Sequence, residues 1–262
     1  MVTSNAEAVR NEALLVVPLT VLLTVASLTT AHGLGLAAGL GMFLLTTIAW
    51  RRRRPASTSC GVLFVAWLGL GLAGVGPQQL TFALALAGYG VLVSRVSWLR
   101  DAGQWLAVGR LDARTLTFSA AFAALSGAVL LVWYVLAQPS LDDLVATFVP
   151  DWPFWLLAAA AVGFSIVNAV LEEAAYRGVL QHALERAVGA RHAALVLQAT
   201  AFAALHFLAG FPRGMVGVAV TFAYGLVLGT IRRQAGGLAA PVAVHALTDL
   251  AIVAIVLTLA EV

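Results

Sequence analysis

The chain has 262 residues, of which 61% are hydrophobic and 10% are charged, and its formal net charge is +3. Its mean hydropathy of +0.96 lies outside the range of soluble domains and predicts an all-α, polytopic transmembrane helical bundle. The arginines lie in the gaps between apolar runs rather than along one face, which argues against nucleic-acid binding and leaves the lipid bilayer as the surrounding partner.

Nine apolar runs follow one another, and each is a candidate transmembrane helix. They cover residues 13–31, 33–50, 60–75, 80–93, 116–137, 154–171, 193–209, 215–231 and 238–259. A span needs about 20 residues, so the third and fourth runs are marginal. The sequence therefore predicts eight or nine spans.

The charges between the runs predict the orientation of the chain. The second run ends in four arginines, from Arg51 to Arg54, and positively charged loops are retained in the cytoplasm. With nine spans the amino terminus is also cytoplasmic, and of the arginines between spans only Arg213 falls outside. No lysine occurs in the chain, a usage that accompanies GC-rich bacterial genomes. We therefore expect a multi-pass protein of a bacterial inner membrane.

A loop of mixed character separates the fourth run from the fifth. Residues 98–110 alternate apolar and charged side chains, which predicts an amphipathic helix on the inner membrane surface. The chain then divides into a four-span region (1–97), an amphipathic inner-surface segment (98–115) and a second membrane domain (116–262). No ionisable residue lies well inside the first four spans, so every candidate for chemistry falls in the second domain.

The first polar cluster lies at the end of the sixth run. Glu172, Glu173 and Arg177 share one face of a regular helix, because they fall at 0°, about 100° and about 140° around its axis. Two adjacent carboxylates beside a guanidinium can supply one base and one acid from identical side chains. Ionisable groups are costly inside a bilayer, so the cluster predicts a functional site.

Two further clusters place histidines on neighbouring helices. His206 follows Phe202 by one turn, and Asp249 follows His245 by one turn, so each pair projects to one side of its helix. A helical hairpin that turns near Gly189 would bring His206 to the height of the glutamates. A straight sixth span beginning at residue 154 would instead put the glutamates about 27 Å deep, near the inner surface, so the depth of the site is left open.

These residue types are the parts needed to activate water, with or without a metal. Glu172, His206 and His245 could hold Zn²⁺ and leave one position for water. The two histidines come from separate helices and lack the His-Glu-x-x-His spacing of common zinc peptidases. A glutamate base explains the same residues without an ion. We therefore expect no obligatory cofactor, with zinc as the alternative.

The three clusters together resemble the CAAX protease and bacteriocin-processing (CPBP) family of intramembrane proteases. The family pattern is Glu-Glu-x-x-x-Arg, then Phe-x-x-x-His, then His-x-x-x-Asn or Asp, and the similarity covers residues 116–259. The resemblance implies an intramembrane endopeptidase acting on a precursor peptide or a membrane protein. The residues that it implies to be catalytic are Glu172, Glu173, Arg177, His206, His245 and Asp249.

The resemblance also implies a role for each residue. Glu172 would polarise the attacking water with help from His206, while Glu173 and Arg177 order the site. His245 would stabilise the oxyanion together with Asp249, although an ionised aspartate cannot donate a hydrogen bond and would instead orient His245.

Two other functions remain open at this point. The same cavity would also serve a non-proteolytic immunity or regulatory protein that binds a peptide without cutting it. A transporter that uses its carboxylates as a proton relay is the third hypothesis, and it ranks last because no pair of inverted halves is evident.

Overall fold

The structure is a computed structural model that describes residues 5–142, 145–146, 149–189 and 191–259. Within these residues every regular element is helical. The ten α-helices are α1 (Asn5–Leu28), α2 (His32–Arg51), α3 (Pro55–Leu72), α4 (Gln78–Arg95), α5 (Ala113–Ala137), α6 (Phe154–Glu172), α7 (Gln181–Val188), α8 (Arg191–Leu205), α9 (Gly214–Ala235) and α10 (Ala239–Leu259). The predicted all-α bundle is confirmed.

Seven helices in the described part of the chain are long and apolar enough to cross a membrane. They are α1, α2, α3, α5, α9, α10 and the continuous helix Phe154–Val188 that contains α6 and α7. This count is lower than the eight or nine predicted. The α4 helix carries Gln78, Gln79 and Arg95 and is less hydrophobic, while the apolar part of α8, His192–Leu205, is too short. The chain is a multi-pass membrane protein.

The single amphipathic helix predicted over residues 98–110 does not form. A 3₁₀-helix covers Ser97–Gly103, and an extended segment follows it. The carbonyl oxygens of Ala107 and Val108 accept hydrogen bonds of 2.9 and 3.0 Å from the backbone N–H groups of Leu238 and Ala239. Because the first N–H groups of a helix lack partners within it, this segment caps the start of α10.

The helix that carries the first motif is longer than its apolar run. Phe154–Val188 comprises 35 residues, about 50 Å at 1.5 Å per residue, which exceeds the hydrocarbon thickness of about 30 Å. Residue 154 therefore does not have to lie at the membrane surface, which removes the assumption that put the glutamates about 27 Å deep. The helix ends at Gly189 with φ +64°, which matches the predicted turn, although residue 190 lies outside the described residues.

The first four helices pack directly against the motif helix. The ring of Tyr176 lies 5.4 Å from Phe64 of α3, 6.4 Å from Phe82 of α4 and 5.1 Å from Phe202 of α8. All four rings belong to one buried apolar cluster. The amino-terminal helices therefore form part of the wall that surrounds the first and second motifs.

Close packing of α8 and α9 depends on two glycines. A Cβ atom at Gly229 would lie 2.7 Å from Leu195 Cδ2, and one at Gly225 would lie 3.2 Å from Ala199 Cβ. The backbone carbonyl of Gly225 also accepts a 2.9 Å hydrogen bond from Gln198 Nε2. Gly225 and Gly229 follow the small-x-x-x-small spacing that predicts close helix contact in an apolar helix, and the structure confirms that contact.

We expect Gly229→Ala to lower the free energy of unfolding by about 1–3 kcal/mol, because the added methyl group displaces the side chains of Leu195, Gln181 and Gln198, which would lie within 2.9 Å of it. Gly69→Ala is the matched control, since a Cβ atom at Gly69 meets nothing within 4 Å. Thermal unfolding of both variants in detergent measures the difference. Equal melting temperatures for the two variants would contradict the packing described for this helix pair.

Candidate active site

A π-helical segment positions the first motif. Between Glu173 and Leu180 the backbone departs from the regular α pattern and forms a π-helix, which then continues into α7. Short π segments inside α-helices widen the turn and are frequent at functional sites. Glu172 and Arg177 are 7% and 0% exposed, so the segment carries charged groups into the protein interior.

The guanidinium of Arg177 compensates the most deeply buried carboxylate. Arg177 Nη1 donates a 2.8 Å hydrogen bond to Glu173 Oε1, and both side chains are 0% exposed. Arg177 Cζ also lies 4.1 Å from the centre of the Phe202 ring, a cation–π contact. The first and second motifs are thus joined through one arginine.

His245 connects the third motif to both glutamates. Its Nδ1 lies 2.8 Å from Glu173 Oε1, the oxygen that also accepts from Arg177. Its Nε2 lies 3.7 Å from Glu172 Oε2 and 3.5 Å from Asp249 Oδ1. Since a carboxylate only accepts, His245 Nδ1 carries the proton of that hydrogen bond, which fixes the plane of the imidazole ring.

His206 lies apart from this network. Its ring centre is 5.2 Å from that of Phe202, whereas the ring of His245 is 6.0 Å from the same phenylalanine. A Cβ atom at Gly210 would lie 2.6 Å from His206 Cδ2, so the loop after α8 packs closely on the ring. Within the described residues, no hydrogen bond or ion pair joins His206 to either glutamate. The structure therefore brings five of the six predicted residues together directly and places His206 beside them.

A cavity of about 270 Å³ leads to the cluster. Its lining includes His206, His245, Thr248 and Asp249, and most of its other lining residues are apolar side chains of α5, α9 and α10. The glutamates do not line the cavity. They contact His245, which does. Glu172 keeps 9% of its side chain exposed while Glu173 keeps none, so the two carboxylates differ in their access to solvent.

Three polar residues of the second domain that the sequence analysis missed also belong to the site. Asn168 of α6 donates a 3.0 Å hydrogen bond to Asp249 Oδ2. The ring of Tyr224 lies 5.8 Å from that of His245, and its hydroxyl lies 3.1 Å from Thr248 Oγ1. Asn168 precedes Glu172 by four residues, so a polar side chain one turn before the motif was the signal that could have identified it.

The proposed metal ligands do not form a metal site in this arrangement. Among the described residues, no group of three or more histidine, cysteine, aspartate or glutamate side chains is arranged to hold one ion. His206 is the separated member of the set formed with Glu172 and His245. The donor set therefore does not fit a zinc site with three protein ligands, and no chemical step below passes through a metal.

Comparison with known proteins gives one match. Residues 150–251 match the family model described as type II CAAX prenyl endopeptidase Rce1-like. No curated protein and no solved structure matches the chain significantly. The matched region contains all three motifs and Asn168, whereas α1 to α4 lie before it. The match over residues 150–251 therefore supports a relationship of this part of the chain to the CAAX protease family.

Proposed function

We propose that the protein is an intramembrane endopeptidase that hydrolyses a peptide bond with water activated by Glu172. The observation that carries this proposal is the Glu172 carboxylate, 9% exposed and 3.7 Å from Nε2 of His245, a residue that lines a cavity inside an apolar bundle. A carboxylate and an imidazole within reach of one water molecule are the groups that general acid–base hydrolysis requires. The family match of the surrounding region supports the same reaction.

The proposed reaction begins with the removal of a proton from water by Glu172. The water oxygen attacks the carbonyl carbon of the scissile bond, and negative charge develops on the carbonyl oxygen. In this scheme His245 is an imidazolium beside three carboxylates: Nδ1–H donates to Glu173, which fixes the ring, and Nε2–H donates to the oxyanion. The proton held by Glu172 then passes to the leaving nitrogen as the carbon–nitrogen bond breaks. His206 faces the same cavity and helps to orient the water.

Glu173 and Arg177 act in this proposal as the rigid support of the site. Both side chains are fully buried, and Glu173 Oε1 contacts Arg177 and His245 at 2.8 Å each. A group without access to solvent cannot activate an incoming water, whereas it can hold an imidazole in one orientation. We therefore assign the base to Glu172 and the positioning of His245 to Glu173.

The cavity walls indicate the class of substrate. Phe122, Leu125 and Val129 of α5 and Val220 and Val227 of α9 face the cavity with apolar side chains. These walls suit an apolar segment of a membrane-associated or precursor peptide, which can enter from the bilayer.

An accumulation experiment tests this function in cells. Membranes that contain Glu172→Gln are compared by quantitative proteomics with membranes that contain the wild-type protein or Glu7→Gln, a control at an exposed glutamate of α1. We expect at least one membrane or precursor peptide to remain uncut only with Glu172→Gln. If Glu172→Gln preserves both the proteome and the cellular phenotype of the wild type, the protein acts as a binding or immunity protein and the proposal is wrong.

We further propose that hydrolysis needs no obligatory metal, because the Glu172–His245 pair provides both a base and an oxyanion donor. Elemental analysis of purified active protein, with activity measured before and after chelation, tests this point. We expect activity without stoichiometric zinc. Loss of activity on chelation and its recovery with added zinc would overturn the no-metal proposal and leave peptide hydrolysis in place.

The proposed location is a bacterial cell membrane with the amino terminus in the cytoplasm, supported by the arginines from Arg51 to Arg54. In a Cys60→Ser background, a cysteine introduced at Arg53 should react with an impermeant maleimide only after the cells are opened. This orientation takes α4 as a further crossing, as the charges between the apolar runs predict, so a cysteine at Ser140, in the connection after α5, should react in intact cells. The reverse pattern of labelling would contradict this orientation.

A further inference from the structure

One hydrogen-bonded chain crosses from the amino-terminal helices into the proposed active site. Gln79, at the start of α4, donates from Nε2 to Asn168 Oδ1 at 3.3 Å. Asn168 Nδ2 donates in turn to Asp249 Oδ2 at 3.0 Å, and Asp249 Oδ1 lies 3.5 Å from His245 Nε2. Two side chains outside the three motifs are therefore connected in series to the imidazole of the site.

The direction of this chain determines what each group can do. An amide has one oxygen that accepts and one nitrogen that donates. Because Gln79 donates to the oxygen of Asn168, the nitrogen of Asn168 is the atom that faces Asp249. Asp249 thus accepts from Asn168 with one oxygen, and its second oxygen is turned towards His245. A side chain held in this way orients an imidazole and does not act as an oxyanion donor.

We propose that Asn168 is a positioning residue that holds Asp249 against His245, and that Gln79 holds Asn168, so that α4 completes the site. This inference rests on the proposed function in assigning the imidazole of His245 to catalysis. It gives the four amino-terminal helices a role in the reaction, although they lie outside the matched family region. Asn168 and Gln79 touch neither the attacking water nor the scissile bond in this scheme.

The central test exchanges the donor and the acceptor of one hydrogen bond. Asn168→Asp places two carboxylates opposite each other, and the added change Asp249→Asn restores a donor–acceptor pair of the same size. Ser165→Ala is the control, because Ser165 is a buried polar residue on the same helix and its hydroxyl has no hydrogen-bond partner among the described residues. Gln79→Leu provides a milder variant at a half-buried position near the beginning of a helix.

The first readout needs no substrate. Protein labelled with ¹⁵N in its histidine rings is purified in detergent micelles, and the His245 signals are assigned from their loss in His245→Gln. We expect Asn168→Asp to shift the His245 ring-nitrogen resonances, the exchanged pair to bring them back towards those of the wild type, and Gln79→Leu to shift them less. Ser165→Ala should change neither. Unchanged His245 signals in both Asn168→Asp and Gln79→Leu would overturn the inference.

The second readout is cleavage of a membrane peptide that the wild-type protein cuts. We expect Asn168→Asp to lower kcat roughly 10- to 100-fold with KM nearly unchanged. A misplaced His245 imidazole slows the chemical step, whereas substrate binding does not depend on its exact position. The exchanged pair should regain most of that loss. A failure of the pair to recover kcat, or an equal loss with Ser165→Ala, would contradict positioning. If the His245 signals respond as expected while the wild-type protein cuts nothing, the proposed function fails and the placement of His245 stands.

Discussion

Glu172→Gln is expected to lower kcat/KM by about 10²- to 10⁴-fold, the usual contribution of a general acid–base group. Glutamine keeps the size of the side chain but cannot take a proton from water. Two carboxylates lie near His245 Nε2, Glu172 at 3.7 Å and Asp249 at 3.5 Å; Asp249 is held by Asn168, whereas the Glu172 carboxylate accepts no hydrogen bond within the described residues and is outside the arginine ion pair. Initial rates on one membrane peptide in detergent measure the change.

Two controls separate loss of catalysis from loss of folding in this experiment. Glu172→Gln should keep the melting temperature of the wild-type protein to within a few degrees, because it removes no hydrogen bond found within the described residues. His192→Ala, at an exposed histidine of α8, should retain full activity while His206→Ala loses activity. Normal rates for Glu172→Gln would show that another group activates the water.

Arg177→Met is expected to destabilise the protein by about 3–5 kcal/mol, since it leaves the Glu173 carboxylate buried without its cation. Both members of this pair are 0% exposed, and Arg177 also packs over the Phe202 ring at 4.1 Å. Methionine retains most of the apolar volume, so the expected loss reports the missing charge rather than a cavity. Unfolding in detergent, followed through the single cysteine, provides the measurement.

Cys60 is a suitable reporter because it is the one cysteine in the sequence and is 1% exposed. This burial agrees with its position at the start of an apolar run, and a maleimide should reach it only when the bundle opens. Arg232→Met is the matched control: Arg232 contacts Glu185 at 2.6 Å, but their side chains are 11% and 23% exposed. We expect that exposed pair to contribute about 0–1 kcal/mol. Equal losses for the two arginine variants would contradict the interior location assigned to Arg177.

The sequence was sufficient to predict the helical membrane architecture and the turn at Gly189. Both follow from local signals, namely apolar run length and a glycine between two amphipathic segments. The shared face of Glu173 and Arg177 also follows from helical spacing, and the structure joins them at 2.8 Å. The close approach at Gly225 and Gly229 followed from the spacing of small residues in an apolar helix.

Features that depend on partners distant in the sequence could not be predicted in the same way. The π-helical turn over Glu173–Leu180 departs from the regular spacing used to place the motif, and no residue in the segment signals it. The segment after Gly103 is not helical, and its carbonyl groups cap α10, more than 120 residues later. Gln79 and Asn168 carry no motif, and their contact forms only when α4 packs against α6.

The predicted position of His206 shows a further limit of helical spacing. His206 follows Phe202 by one helical turn, which places the His206 ring beside Phe202, and the structure shows it there, in the cavity lining. Its distance from the glutamates depends on the loop over Gly210 and Phe211, and the latter packs on Trp133 of α5 at 5.1 Å. Because α5 contributes to that placement, the second motif alone cannot define it.

The most direct measurement is hydrolysis by purified protein in H₂¹⁸O, with a library of synthetic transmembrane and leader peptides analysed by mass spectrometry. The wild-type protein should produce fragments in which one ¹⁸O atom enters each new carboxyl terminus, and Glu172→Gln should produce none above background. The absence of fragments from folded wild-type protein, or equal labelled fragments from Glu172→Gln, would contradict water activation by Glu172 within the membrane.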